Sequence, residues 1–328
     1  MNYLITGATG FIGPYLLKKL TAGNHVCRCL VRPGSEKKIP DLPGIEVVFG
    51  DITQPESLAG VADHMDCLLH MATLGHMSNF TVTEEMFNAI NVQGTVNIMN
   101  EALRAGVGKI VHCSTVAAMG ICDDVPSTET TPCKPHHAYG RSKLKAEQEV
   151  KRLVIGKGLP AAIVRFSMVY GPGDPRDILK LTRMAKKGLF PKVGNRPKLT
   201  PLIHAEDAAE GLLLAATKGK PGEIYLMTNK NSEPFDKIRE IIQEALGKKK
   251  RALYVPEWTA LTLAAVIEKL FTFVGKTPPL SRKNMESTLA DRVFSIEKAA
   301  GELGFDPKVD PVQGLRETVL WYKEKGWI

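Results

Sequence analysis

The run Thr6-Gly7-Ala8-Thr9-Gly10-Phe11-Ile12-Gly13 constrains the fold of this chain more than any other stretch. It follows the apolar segment Tyr3-Leu4-Ile5 and precedes Tyr15-Leu16-Leu17-Lys18-Lys19-Leu20, so it reads as a strand, a glycine-rich turn and a helix. In such a turn Gly7 and Gly10 let backbone approach a pyrophosphate that a Cβ would block, and Gly13 lets the helix pack closely on the strand. The helix N-terminus adds free N–H groups and the positive end of its dipole. The spacing is GxxGxxG, not the general GxGxxG. Pro14 is compatible with a first helical turn, whose donors have no intrahelical partner.

Short apolar runs follow at His25–Val31, Ile45–Phe49, Asp66–His70, Lys109–Ser114 and Ala161–Phe166. Between them, Pro55–Ala62, Glu84–Ala105 and Tyr139–Gly156 carry apolar residues at three- and four-residue spacing, as amphipathic helices do. This alternation predicts an α/β fold: a Rossmann-type doubly wound parallel sheet over residues 1–166 and a smaller, mostly helical substrate lobe over 167–328, with about 203–228 returning to the core. The second half has Pro/Gly-rich joints at Gly171–Pro175, Phe190–Pro201 and Thr277–Pro279, and helical patterns at Glu206–Ala216, Asp236–Leu246, Ile296–Leu303 and Val312–Lys325.

A composition 44% apolar and 24% charged is that of a globular protein. The six cysteines all fall in the first half, with no CxxC pair and no His/Cys cluster at zinc spacing, so reduced thiols, no metal site and a cytoplasmic location are expected. The first strand begins by residue 3, which leaves no room for a signal peptide. The most apolar window, Trp258–Val274, is interrupted by Glu268 and Lys269 and is too short to span a bilayer. An amphipathic helix is expected there, with a greasy lid or a peripheral membrane-touching face as the other reading. The net charge of +8 is scattered, with one dense run at Lys248-Lys249-Lys250-Arg251, so no nucleic-acid partner is expected; an anionic cofactor or small-molecule substrate fits the charge equally well.

Tyr139-Gly140-Arg141-Ser142-Lys143 places a phenol and an ammonium four residues apart on one helix face. A nearby Lys⁺ and an oxidised nicotinamide would pull the phenol toward neutrality, where it exchanges a proton with a substrate oxygen. Upstream, Ile110–Thr115 ends a strand in Ser114 and Thr115, where ligands of open α/β sheets bind; either hydroxyl can reach the oxygen that Tyr139 protonates, or the pair can serve as a helix cap.

These pieces together resemble the extended short-chain dehydrogenase/reductases. TGATGFIG, GDIT at 50–53, LLHMAT at 68–73, NVQGT at 91–95, CSTVAAMG at 113–120, YGRSK at 139–143 and VRFSMVYGPGD at 164–174 come in that family's order and spacing, and the resemblance covers the whole chain. IHAEDAAEGLLLAA (203–216) and ADRVFSIEKAAGELGFDP (290–307) are similar to the NAD(P)-dependent epimerase/dehydratases and to 3β-hydroxysteroid-dehydrogenase-like and dihydroflavonol-reductase-like enzymes. The resemblance implies Thr115 as the hydroxyl catalyst, five positions before Gly120, with Ser114 the lesser choice; Tyr139 as acid/base; and Lys143 on the nicotinamide ribose. For the cofactor it implies Gly7, Thr9, Gly10, Phe11, Ile12 and Gly13 at the turn, Asp51 and Ile52 beside the adenine, Met71, Ala72 and Thr73 under the pyrophosphate and ribose, and Phe166, Met168 and Val169 near the carboxamide. Asn91 matches a helix asparagine near the cofactor, or is a buried structural amide. A homodimer is also implied.

The chain departs from the pattern where Phe166 replaces a usual proline, where Met119 replaces a tyrosine, and where Val116-Ala117 replaces the Asp-Glu pair of the dehydratases. Its second strand ends in Arg32 with no acid, which suits the 2′-phosphate of NADP over NAD, unless Arg32 stacks on adenine or is tied to Glu36. The expected activity is NAD(P)-dependent hydride transfer on a secondary alcohol or ketone. The alternative is a nucleotide-sugar epimerase or reductase, with Arg282 and Arg292 as diphosphate-binding candidates. A non-enzymatic NADP sensor or RNA-binding relative is disfavoured by the retained tyrosine and lysine.

Overall fold

The computed structural model describes residues 1–75, 82–122, 124–249, 253–273, 285 and 289–328. Seven parallel strands form the central sheet: β1 (Asn2–Thr6), β2 (Val26–Val31), β3 (Ile45–Phe49), β4 (Cys67–His70), β5 (Lys109–Thr115), β6 (Ala161–Phe166) and, after the short strands β7 (Met168–Tyr170), β8 (Lys192–Val193), β9 (Leu199–Thr200) and β10 (Leu202–His204), the strand β11 (Ile224–Met227). Their spatial order is β11-β6-β5-β4-β1-β2-β3. The chain winds outward from β1 in one direction and from β4 in the other, which opens a crevice between the carboxyl ends of β1 and β4.

Because side chains alternate along a strand, each strand feeds two cores. Tyr3 and Ile5 pack with Leu16, Leu17 and Leu20 of α1 (Gly13–Ala22) and with Ala208 and Leu212 of α6 (Ala205–Lys218). Leu4, between them, packs on the other face with Ile98 and Met99 of α3 (Gly94–Arg104) and Val150 and Leu153 of α4 (Ala138–Lys157). A third core joins α5 (Asp177–Lys186), α7 (Phe235–Ala245) and the C-terminal helix Pro311–Glu324 through Ile178, Ile242, Leu315 and Tyr322. Three two-stranded ribbons complete the second half: β7 with β10, β9 with β12 (Glu233–Pro234), and β8 with β13 (Tyr254–Val255), the last leading into α8 (Glu257–Phe273).

Two helical expectations are corrected. Pro55–Ala62 holds only a single 3₁₀ turn, Pro55–Leu58, because Gly60 takes a left-handed backbone (φ 79°) and gives its N–H to the Glu101 carboxylate at 2.9 Å. The helix expected over Glu84–Ala105 is broken in kind: α2 (Glu84–Phe87) passes into a π-helical segment, Asn88–Gln93, before α3. Such bulges change which residues share a face, which periodicity alone does not reveal. Helix α5, immediately after Pro175, went unread.

Candidate active site

Gly7, with φ 76°, is required by the meeting of β1 and β4: a Cβ there would lie 2.6 Å from the backbone of Met71 and Ala72. Its freedom closes the turn onto the end of β4, and Gly10 is the glycine left exposed above it. Thr6 secures the join, its Oγ1 accepting the Ala72 N–H at 3.2 Å and bonding His70 Nδ1 at 2.7 Å. Ile12 stands at the N-cap of α1, and no side chain there caps the helix. Open backbone donors beside an exposed glycine, at the sheet's switch point, fit a dinucleotide pyrophosphate; Thr9, Phe11 and Ile12 lie on the same turn.

The far wall holds the residues expected at the adenine end. One Asp51 carboxylate oxygen accepts both the N–H and hydroxyl of Thr53, at 2.9 and 2.8 Å. Ile52 is buried against Gly94, and its carbonyl accepts from Asn97 at 2.8 Å. Arg32 follows β2 and is exposed, and its guanidinium makes no hydrogen bond or ion pair among the described residues, Glu36 included.

Asn91 sits in the π segment, buried, with its Oδ1 taking the Leu74 N–H at 2.7 Å and the Thr73 hydroxyl at 3.0 Å. Its Nδ2 donates to the Leu74 carbonyl and to Ser142 Oγ at 2.9 Å. The asparagine thus fastens the segment after β4 to α4, and in this way holds Thr73 beside the tyrosine.

The reacting end is built by close approach of α4 to the turn that follows β5. A Cβ on Gly140 would lie 2.4 Å from the Ala117 carbonyl oxygen, so only glycine lets the helix settle there. Thr115 takes the Ala117 N–H on its Oγ1 at 3.2 Å, and its side chain, with that of Thr73, hydrogen-bonds the Tyr139 hydroxyl. The Tyr139 ring lies between Phe87 and His137, with centroids at 6.0 and 6.2 Å. Lys143 is buried one turn along and gives its ammonium to the Cys113 carbonyl at 2.7 Å.

Burial sets the electrostatics of this pair. Burial pushes the Tyr139 phenol up to about 12, with Cys113 adding to the rise, while Arg176, Thr115 and Thr73 pull it down. Desolvation therefore dominates any pull toward neutrality. Lys143 is held below the usual lysine value, again by burial.

Ser114 takes no part at this surface. Alternation turns it to the opposite face from Thr115, where its hydroxyl donates to Glu147. Glu147 in turn pairs with Arg165 at 2.7 Å, all three residues being buried. Phe166 ends β6 inside the core, Val169 is buried beside it, and Met168 starts β7. Met119 is fully buried with Val116, Leu226 and Phe294, so the tyrosine's place has become part of a hydrophobic cluster.

Arg292 is sunk over the Phe294 ring (5.8 Å), with its Nε unpartnered; Arg282 lies outside the described residues. Arg176 was missed by sequence reading. Its guanidinium lies 5.2 Å from the Phe11 ring centroid and bonds Asp174 at 2.8 Å and the Val169 carbonyl at 3.0 Å, so it joins the glycine-rich turn to the segment expected at the carboxamide. No local pattern marks it. Glu147 did carry a signal, as a charge four residues beyond Lys143 on the buried face of α4.

The fold recurs in known proteins. The crystal structure of gox2253 is 33% identical, with a TM-score of 0.86, and the match covers 99% of this chain and 98% of that one. DesIV, the dTDP-glucose 4,6-dehydratase of Streptomyces venezuelae solved with NAD bound, is 26% identical at a TM-score of 0.81, over 100% and 98% of the two chains. A putative dihydroflavonol 4-reductase of Synechocystis sp. is 29% identical over 99% of this chain and 96% of its own length. The model of the NAD dependent epimerase/dehydratase family matches residues 3–227, from the first strand to the last strand of the sheet, and the chain belongs to that family, among the extended short-chain dehydrogenase/reductases.

Proposed function

We propose that this chain is a reductase that interconverts a ketone and a secondary alcohol, with NADP as the cofactor. The observation that carries the reading is the hydrogen-bonded Thr115 and Tyr139 pair above a buried Lys143, at the carboxyl end of β5. A nicotinamide cofactor bound in the crevice supplies the hydride. The chain's own residues handle the proton: Thr115 and Tyr139 converge on the substrate oxygen, and Tyr139 donates to it in the direction of reduction. A phenol pushed up to about 12 stays protonated at neutral pH, which is the form an acid needs. The exposed, unpaired Arg32 supports NADP, and the similarity to a putative dihydroflavonol reductase supports reduction. A dehydratase is not supported, since Val116 is buried in an apolar cluster where its acid would be needed. A homodimer is part of the proposal and is read by sedimentation.

Tyr139→Phe should leave cofactor binding nearly intact and lower turnover by at least about 10²-fold. Reduction by the unsubstituted enzyme should hold level through neutral pH and fall only as the phenol ionises, while oxidation of the alcohol should rise with pH. Comparable turnover in Tyr139→Phe removes Tyr139 from the mechanism. One observation favours the nucleotide-sugar reading: the unpartnered Nε of Arg292 suits an anionic substrate group. NAD retained through purification, with no net oxidation of added alcohols, would select an epimerase.

A further inference from the structure

Helix α8 buries two alanines and exposes four of its large apolar residues. Ala260 and Ala264 are packed inward, while Trp258 is 71% exposed, Leu270 62% exposed, and Leu263 and Val266 are exposed with them. At about 100° per residue these four fall within one arc of roughly 140°. A helix facing water puts the opposite residues outward. The apolar surface continues beyond the helix. Leu253, just before β13, and Tyr254 within it are exposed, and so is Leu189, three residues before Lys192, whose N–H bonds the Leu253 carbonyl (2.9 Å).

Lysines lie in the same chain segments as Leu189 and Leu253. Lys186 and Lys187 end the α5 arm, Lys248 and Lys249 end the α7 arm, and the Lys248 ammonium bonds the Lys186 carbonyl, so the two arms meet. All four are exposed, and none is ion-paired among the described residues. The nearby carboxylates are already engaged: Glu257 by Lys198 and Asp236 by Lys192, each at 3.3 Å, and Glu244 by Arg316 at 2.9 Å. The rim is therefore left positive.

We propose that this face seats the protein on an anionic lipid bilayer. A tryptophan and leucines enter the headgroup boundary while unpaired lysines meet lipid phosphates, which is the chemistry of an interfacial helix. A second copy of the chain fits less well, because a self-complementary contact would set lysine rim against lysine rim. The attachment is adsorption to one leaflet, since among the described residues no helix is long and apolar enough to cross a membrane. It does not depend on which reaction the crevice performs.

The test mixes the full chain with phosphatidylcholine vesicles, with and without phosphatidylglycerol, and follows sedimentation and tryptophan emission. The protein should sediment with the anionic vesicles at low salt, with its emission shifted to the blue. Trp258→Ser with Leu270→Ser should abolish the shift and the binding. Lys187→Glu with Lys249→Glu, on a surface where folding is not at stake, should weaken binding by about tenfold or more. Absence of binding to anionic vesicles, or binding that survives both pairs of substitutions, would overturn the proposal. So would a lipid-free oligomer that the Trp258/Leu270 pair dissociates, which would assign the face to a second copy.

Discussion

The proposed preference for NADP rests on Arg32, just after β2, whose guanidinium has no partner among the described residues. If it forks around a 2′-phosphate, Arg32→Ala should weaken NADPH by about 1.5–3 kcal/mol, the range for hydrogen bonds to charged groups, and leave NADH nearly unchanged. Titration of both cofactors decides it; equal losses would mean that Arg32 only stacks on adenine. Arg165 and Glu147 show a residue whose worth is conditional. Arg165→Leu should cost about 3–5 kcal/mol in urea unfolding, because the Glu147 carboxylate stays buried without its cation. Replacing both with apolar residues of similar volume should restore most of that loss. The Tyr139–Lys143 pair was legible in the sequence because helix spacing is a local property; the strand end offered Ser114 and Thr115 alike, and only the resemblance chose Thr115. The partner of Ser114 was not, because Glu147 reaches it from another element.

At the level of elements, the placement of Tyr139 against Thr115 depends on how closely α4 approaches the turn after β5. Gly140→Ala gains about 1 kcal/mol of helix propensity yet drives a Cβ to 2.4 Å from the Ala117 carbonyl oxygen, and overpacking of this kind costs about 1–3 kcal/mol. The contact should win. We expect no net stabilisation, and a turnover reduced by up to about 10²-fold as Tyr139 moves away from Thr115. Gly156→Ala on the same helix, where nothing lies within 4 Å, should instead raise stability by up to about 1 kcal/mol and leave turnover alone. Thermal unfolding and kcat for the two variants separate steric contact from propensity. The order of strands and helices was readable from periodicity. The π segment around Asn91 was not, since a one-residue bulge barely changes an apolar pattern.

Across the whole molecule, stability should depend on two histidines at the centre of the sheet. His70 and His112 stack at 5.4 Å and are fully buried; His70 bonds Thr6 and Thr95, whereas neither nitrogen of His112 has a partner among the described residues. Burial lowers His70 to about 3, and burial followed by Lys143 and His70 lowers His112 well below its ordinary value. Both are neutral in the fold and gain protons on unfolding once pH drops below the ordinary histidine value. Their contribution is therefore full above about 6.5 and is lost as pH falls from there toward the folded values. At two units below 6.5 the loss from His70 should be roughly 2–3 kcal/mol, with His112 adding in the same direction. Urea midpoints measured from pH 7 downward check this, and His112→Leu should make the pH slope shallower.

By itself the sequence determined the doubly wound sheet, the glycine-rich turn and the Tyr139–Lys143 pair, because each follows from sterics and periodicity within a few consecutive residues. Only the tertiary structure decided that Gly7 serves the junction with β4, that Arg176 reaches across to Phe11, and that α8 turns four of its large apolar residues outward. Those outcomes are contacts between segments far apart in the chain, chosen by how whole elements pack, and no local pattern encodes them.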